Sequence, residues 1–113
     1  MTDQVSEERF QRRAAAAEIN GRRVNEAIEP QGQGDRSAVF VCECGNLGCS
    51  DTVELSVAEY EEVRTDFDRF FVVPGHEIEK VDRVVEHRPN YLIVVKRAPE
   101  AREMARASDE RSP

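Results

Sequence analysis

The stretch "FVCECGNLGCSD", residues 40–51, holds all three cysteines of this 113-residue chain, Cys42, Cys44 and Cys49. A lone cysteine is most often a small buried hydrophobe, but three this close make a different pattern. On a strand, Cys42 and Cys44 stand at i and i+2 and point to one face. The turn before Cys49 carries Gly45 and Gly48, both free to take positive φ, so the third sulfur can fold back on the first two. Backbone N–H groups in such a turn can point at thiolates and lower their pKa. Three thiolates in a tight loop suit a soft or borderline cation, and Zn²⁺ is the usual one. A redox thiol cluster and plain packing are the competing readings. Iron–sulfur clusters are disfavoured because they usually take four cysteines at other spacings.

Three cysteines leave a tetrahedral site one ligand short, and three cysteines with one histidine is a common structural zinc set. The chain has two histidines. His76 lies in "VVPGHE", directly after a Pro74–Gly75 turn that ends an apolar strand, whereas His87 lies in "EHRPN" beside a hairpin turn facing solvent. A rigid turn presents a ligand better, so the expected metal ligands are Cys42, Cys44, Cys49 and His76. Glu43, Asp51 and Glu77 are oxygen ligands in reserve, with Glu77 read as a solvated carboxylate or a partner for the His76 ring. A catalytic zinc would need an open position and a general base. Such sites favour histidine and carboxylate ligands, so no enzymatic activity and no catalytic residue is expected. The chain also lacks a Ser-His-Asp-like set, a phosphate-cradling G-x-x-x-x-G-K loop and a dinucleotide fingerprint.

The elements that must position these residues follow from pattern. Residues 4–28 read as a helix rich in Ala, Glu and Arg that ends before Pro30. Phe10, Ala14, Ala17, Gly21, Val24 and Ile28 give it a narrow apolar seam. Gly21 costs that helix roughly 1 kcal/mol against alanine. The helix is expected to dock loosely on its own domain or fray; the sharper alternative is a partner-binding or self-associating helix. "EPQGQGDRS" has the composition of a linker. Strands are expected at 38–43 and about 50–55. "SVAE" then has the form of a capping box with Ser56 at the N-cap, and Leu55 and Tyr60 are placed as a hydrophobic staple. A helix should therefore run from Val57 to about Thr65. Further strands are expected at Phe70–Val73, Val81–Glu86 and Tyr91–Lys96, the last two as an antiparallel hairpin. The run at 91–95, the most apolar in the chain, should lie centrally in the sheet. From Ala98 onward the chain has helix-forming residues but few apolar ones, and a frayed helix or disorder is expected.

The organisation that results is an N-terminal helix at 1–29, a linker at 30–37, a zinc-binding α+β domain at 38–97 and a tail at 98–113. The fold class is α+β: a small antiparallel sheet with one packed helix, stapled by zinc, plus the N-terminal amphipathic helix. A core of roughly 60 residues is marginal without a staple, and a metal meets that need.

Charge narrows the function. Charged residues make up 35% of the chain, the net charge is -7, and each of the three main segments is acidic on balance. That argues against a broad phosphate-binding surface, although "RR" occurs twice and leaves room for a local basic patch. No apolar run approaches the ~18–20 residues of a membrane span, and the N-terminus lacks a signal peptide's apolar stretch. A cytoplasmic setting with reduced thiols is therefore expected, and an odd cysteine count also suits a disulfide framework poorly. The partner should be a protein, or a second copy, reached through the N-terminal helix, rather than nucleic acid or a membrane.

Together these motifs resemble a family of small, uncharacterised actinobacterial proteins. The shared features are an "ERF"-type N-terminal helix, F-x-C-E-C-x4-C at Phe40–Cys49, E-Y-x-x-V-R at Glu59–Arg64, P-G-H-E at Pro74–Glu77, and a closing segment from Val84 through Lys96. The resemblance covers residues 7–97. It implies that Cys42, Cys44, Cys49 and His76 belong to one site, and it brings no activity with it. The expected function is a small zinc-binding protein with a structural metal, acting as an interaction or regulatory module. A thiol or zinc redox sensor and a nucleic-acid-binding zinc domain are the alternatives.

Overall fold

The computed structural model of the protein describes residues 2–29, 36–46 and 48–109. Most of the expected linker, the knuckle residue Leu47 and the last four residues of the tail lie outside them. The elements are α1 (Thr2–Ile28), β1 (Ser37–Val41), β2 (Thr52–Ser56), α2 (Val57–Val63), β3 (Arg69–Val72), β4 (Asp82–His87), β5 (Leu92–Lys96) and α3 (Pro99–Ala107). The fold is α+β, as expected, but with two antiparallel sheets instead of one. A β1–β2 hairpin forms the first, and the second has the order β3-β5-β4 with β5 in the centre.

Alternation along the central strands explains the layering. Phe70 and Val72 of β3, with Leu92 and Val94 of β5, pack with Ile19 of α1 and Ala105 of α3. Phe71, Tyr91 and Ile93 point the other way and pack with Phe40, Val53, Leu55, Tyr60 and Val63. The three-stranded sheet thus lies between the two long helices on one face and the hairpin with α2 on the other. A chain of rings fills the second layer: Phe40 stacks on Tyr60 at 4.6 Å, and Tyr60–Phe71 and Phe71–Tyr91 meet edge to face. A strand buried on both faces reads as a continuous apolar run, which is why "RFFVV" carries no polar alternation.

The capping box forms as expected. The Ser56 hydroxyl accepts from Glu59 N at 3.0 Å, and Glu59 accepts from Ser56 N at 2.8 Å. Leu55 and Tyr60 meet in the same core cluster.

The N-terminal helix needs correcting. It is neither loosely docked nor frayed among its described side chains, and its buried face takes in only part of the expected seam. Phe10 and Val24 are 37% and 41% exposed. Ala14, Ala17 and Gly21 of the seam are buried, but the buried stripe extends past them to Ala15 and Ile19 and to four polar residues, Gln11, Glu18, Arg22 and Asn25. Each polar residue is anchored. Gln11 donates to Lys80 O at 2.9 Å, and Arg22 donates to Arg69 O at 2.8 Å while stacking 3.8 Å over the Phe70 ring. Glu18 forms an ion pair with Lys96, whose ammonium also meets Asp82 at 2.9 Å, all three groups buried. Two carboxylates around one ammonium is a costly arrangement, and burial holds the Glu18 carboxyl well above its usual range.

The tail also needs correcting. Residues 99–107 form α3, with Pro99 at its first position and Ala101 and Ala105 buried. Arg64 reaches it across the molecule, bonding Asp109 at 2.8 Å and Glu26 of α1 at 3.2 Å.

Candidate metal centre

The loop between β1 and β2 is built outward from Cys42, whose N–H donates to Asp51 O at 2.9 Å and so continues the hairpin for one more residue. The next residue turns to the other sheet. Glu43 N donates to Phe71 O at 3.0 Å, and Glu43 Oε1 accepts from Phe71 N at 3.2 Å. Glu43 therefore occupies the free edge of β3 like a single residue of an added strand. Its other oxygen accepts from Asn25 Nδ2 at 2.9 Å and from the Tyr60 hydroxyl at 3.0 Å. Burial raises this carboxyl, opposed in part by Arg22 and by those donors. Glu43, first considered a reserve ligand, is instead a fully buried peg between two cysteines. Asn25 fastens the same corner by accepting from Val41 N and donating to Val41 O, both at 2.8 Å.

Two glycines let this corner sit close to α1. A Cβ on Gly45 would lie 2.9 Å from Ala14 Cβ and 3.0 Å from Ile78 Cδ1, and one on Gly21 would lie 3.3 Å from Cys42 O and Glu43 Cα. Gly45 thus contributes its missing side chain, not a positive φ. Gly21, unfavourable in a helix by propensity, serves the same approach from the other side.

His76 comes from a separate turn. Its N–H donates to Val73 O at 2.9 Å, and Gly75 has φ +95°, with Pro74 before it. Proline followed by a positive-φ glycine is the type II turn the sequence specified. Glu77 caps this turn by accepting from Gly75 N at 2.8 Å, and does not face the His76 ring.

The four expected ligands converge. One donor atom from each of Cys42, Cys44, Cys49 and His76 lies within 4.8 Å of all the others. His76 Nδ1 is 3.7 Å from Cys42 Sγ and 3.4 Å from Cys49 Sγ. Tetrahedral zinc at about 2.3 Å from sulfur and about 2.0 Å from nitrogen sets sulfur–nitrogen edges of about 3.6 Å and sulfur–sulfur edges of about 3.8 Å. The observed separations to nitrogen bracket that value, and closing the rest asks for movements of no more than about 1 Å. The donor set therefore fits a four-coordinate metal ion. His87 is exposed and away from the group.

No family model, curated protein or solved structure matches this chain. The grouping of these four residues rests on their geometry.

The surroundings fit a metal as well. His76 Nε2, turned away from the sulfurs, lies 3.2 Å from Asp51 Oδ2. A carboxylate behind a ligating imidazole fixes its tautomer and raises its basicity. Sequence reasoning placed Asp51 in reserve and assigned Glu77 as a candidate partner for the ring. The signal that separates them is register: Asp51 closes the hairpin opposite Cys42, facing the 74–76 turn. Val73 N–H donates to Cys42 Sγ at 3.2 Å, so among the described residues a backbone donor to sulfur comes from the end of β3. In the thiol form, burial pushes Cys42 and Cys44 up from the ordinary cysteine range. A cation at their centre supplies the compensating charge that three clustered sulfurs lack.

Proposed function

We propose that this is a small cytoplasmic zinc-binding protein in which Cys42, Cys44, Cys49 and His76 hold one structural Zn²⁺, and that it serves as a non-enzymatic interaction or regulatory module through its N-terminal helix. The observation that carries the metal assignment is the placement of His76 Nδ1 at 3.7 Å and 3.4 Å from two of three clustered sulfurs, with Asp51 behind the ring. Four protein ligands leave no open position for substrate, which is the mark of a structural site. The ion would tie the β1–β2 loop to the turn after β3, joining two sheets of a small molecule. No helix among the described residues is long and apolar enough to cross a membrane. The motif resemblance adds membership of the small actinobacterial family with C-x-C-x4-C and P-G-H-E.

Elemental analysis of protein purified without added metal tests the assignment. One zinc per chain is expected, falling well below stoichiometry in His76→Ala and Cys44→Ser. A wild type without zinc, or variants that keep it fully, would overturn it.

A redox-sensor reading has one observation in its favour. Cys49 is only partly buried, with two further sulfurs within 4.8 Å. Oxidation to a disulfide would then release the ion. A structural site keeps its zinc in mild peroxide, and a sensor loses it.

A further inference from the structure

The cations of the described residues are compensated unevenly: Arg22 and Arg97 bond backbone carbonyls, and Arg36 and Arg83 are exposed with no carboxylate partner among the described residues. Arg64, Arg69, Lys80, Arg88, Lys96, Arg102 and Arg106 each have a carboxylate partner. Arg9, Arg12, Arg13 and Arg23 of α1 are exposed and have none among the described residues. They share one side of the helix. Residues 9, 13, 16, 20, 23 and 27 follow the 4-3-4-3-4 spacing of a single face, opposite the buried stripe, and Arg12 flanks it. Between residues 9 and 24 the one carboxylate is Glu18, buried against Lys96. A chain of net charge -7 thus presents an uncompensated basic face about 21 Å long, taking 1.5 Å per residue from Arg9 to Arg23.

The face is not only charged. Beside it runs a cleft of about 720 Å³, walled by Phe10, Ala14 and Ala17 of α1 on one side and by Gly45 and Asn46 of the metal loop on the other, with Arg13 at its border. Among the described residues of this helix, Phe10 and Val24 are the large apolar side chains left exposed.

We infer that this face of α1 and its adjoining cleft form a docking surface for an acidic, amphipathic segment of a partner protein. Carboxylates of the segment meet Arg9, Arg13 and Arg23, and an apolar side chain enters the cleft beside Phe10. A helical segment of about 14 residues matches the length of the face. Three other occupants fit less well. A second copy in symmetric pairing would set the same four cations against each other. A nucleic acid would meet apolar residues along the cleft, and a net charge of -7 beyond the reach of four arginines. A membrane would have, among the described residues of this helix, Phe10 and Val24 alone as large exposed apolar side chains to bury. This inference deepens the interaction-module reading above and rests on it, and it makes the metal loop one wall of the partner site.

The test is fluorescence anisotropy with a labelled 14-residue synthetic peptide carrying leucine at helical i, i+3, i+7 spacing and glutamate elsewhere. Zinc content is measured on the same samples. Binding that weakens at least about tenfold in the Arg13→Glu/Arg23→Glu double variant is expected, with unchanged circular dichroism and zinc. A similar loss is expected when the peptide's leucines become glutamine, and a smaller one for Phe10→Ser. Equal binding of the two peptides, or no effect of charge reversal, overturns the inference. So does tighter binding of an oligo-dT strand or of anionic phosphatidylserine vesicles with the same arginine dependence, or a dimer that the double variant dissolves. Zinc-loaded protein that ignores the peptide sinks the docking surface alone. Zinc-free protein that binds it sinks the metal assignment and supports the surface.

Discussion

At the scale of residues, the site is a set of local rules meeting at a distance. Cys42 and Cys44 share a face because they are two apart on an extended chain, and His76 is aimed by a proline and a positive-φ glycine immediately before it. Both facts are local, so the grouping of these four side chains was legible before any fold was known. Asp51 was not, since its role depends on which residue of the hairpin faces the 74–76 turn, and register is a tertiary fact. It also offers a sharp test of the site. Asp51 is largely exposed and its bond to His76 Nε2 is 3.2 Å, so its contribution to metal binding should lie at the low end for such carboxylates. Asp51→Asn is expected to weaken zinc binding about tenfold, read by competition with a chromophoric chelator, while leaving stoichiometry at one. An affinity unchanged by the substitution would remove Asp51 from the site. In that case the imidazole would be held by its turn alone.

At the scale of elements, the strands, the capped helix and the central place of β5 followed from alternation and capping, whereas α1 was misread. Its core-facing residues include Gln11, Glu18, Arg22 and Asn25 beside its alanines and Ile19, and any reading by polarity assigns those four to solvent. They are buried because each finds a specific partner elsewhere in the chain, and partners are invisible to periodicity. The same blindness hid the docking of α3, whose contacts with the body include two alanines, the Arg102–Asp68 ion pair and Arg64 bonding Asp109 just beyond its end. The single-sheet expectation failed for a related reason: the hairpin β1–β2 and the sheet β3-β5-β4 meet through Glu43 and not through a strand pairing. Close approach between the metal loop and α1 gives a measurable consequence. Gly45→Val places atoms within 3.0 Å of Ala14 and Ile78, and a clash of that kind costs roughly 1–3 kcal/mol. Gly48, whose nearest neighbour to an added Cβ is Asn46 at 3.6 Å, should accept alanine with little loss. Urea unfolding of the two variants separates them. Equal midpoints would mean that the loop does not rest on the helix in solution.

At the scale of the whole molecule, the metal site and the fold are expected to depend on each other, with a sign that pH reveals. In the metal-free protein, burial raises the Cys42 and Cys44 thiols. The folded chain then keeps protons that the unfolded chain gives up above about pH 8.5. The unfolded state binds fewer protons there, so metal-free stability falls as pH rises through that point. The loaded protein behaves oppositely. Its sulfurs are thiolates held by the cation, protons compete with the ion for them, and its stability falls as pH drops. The gap between loaded and chelated protein should therefore widen steadily from about pH 6 to about pH 9. Near neutral pH, with zinc at a thousandfold excess over its dissociation constant, linkage supplies about 4 kcal/mol, or on the order of 15 °C in melting temperature. Calorimetric melts with and without a chelator, repeated across that pH range, give both quantities. Parallel curves would mean that no protons leave the thiols when the chelator is withheld, and the clasp between the two sheets would then have to be held by Glu43, Asn25 and the two glycines without help from an ion.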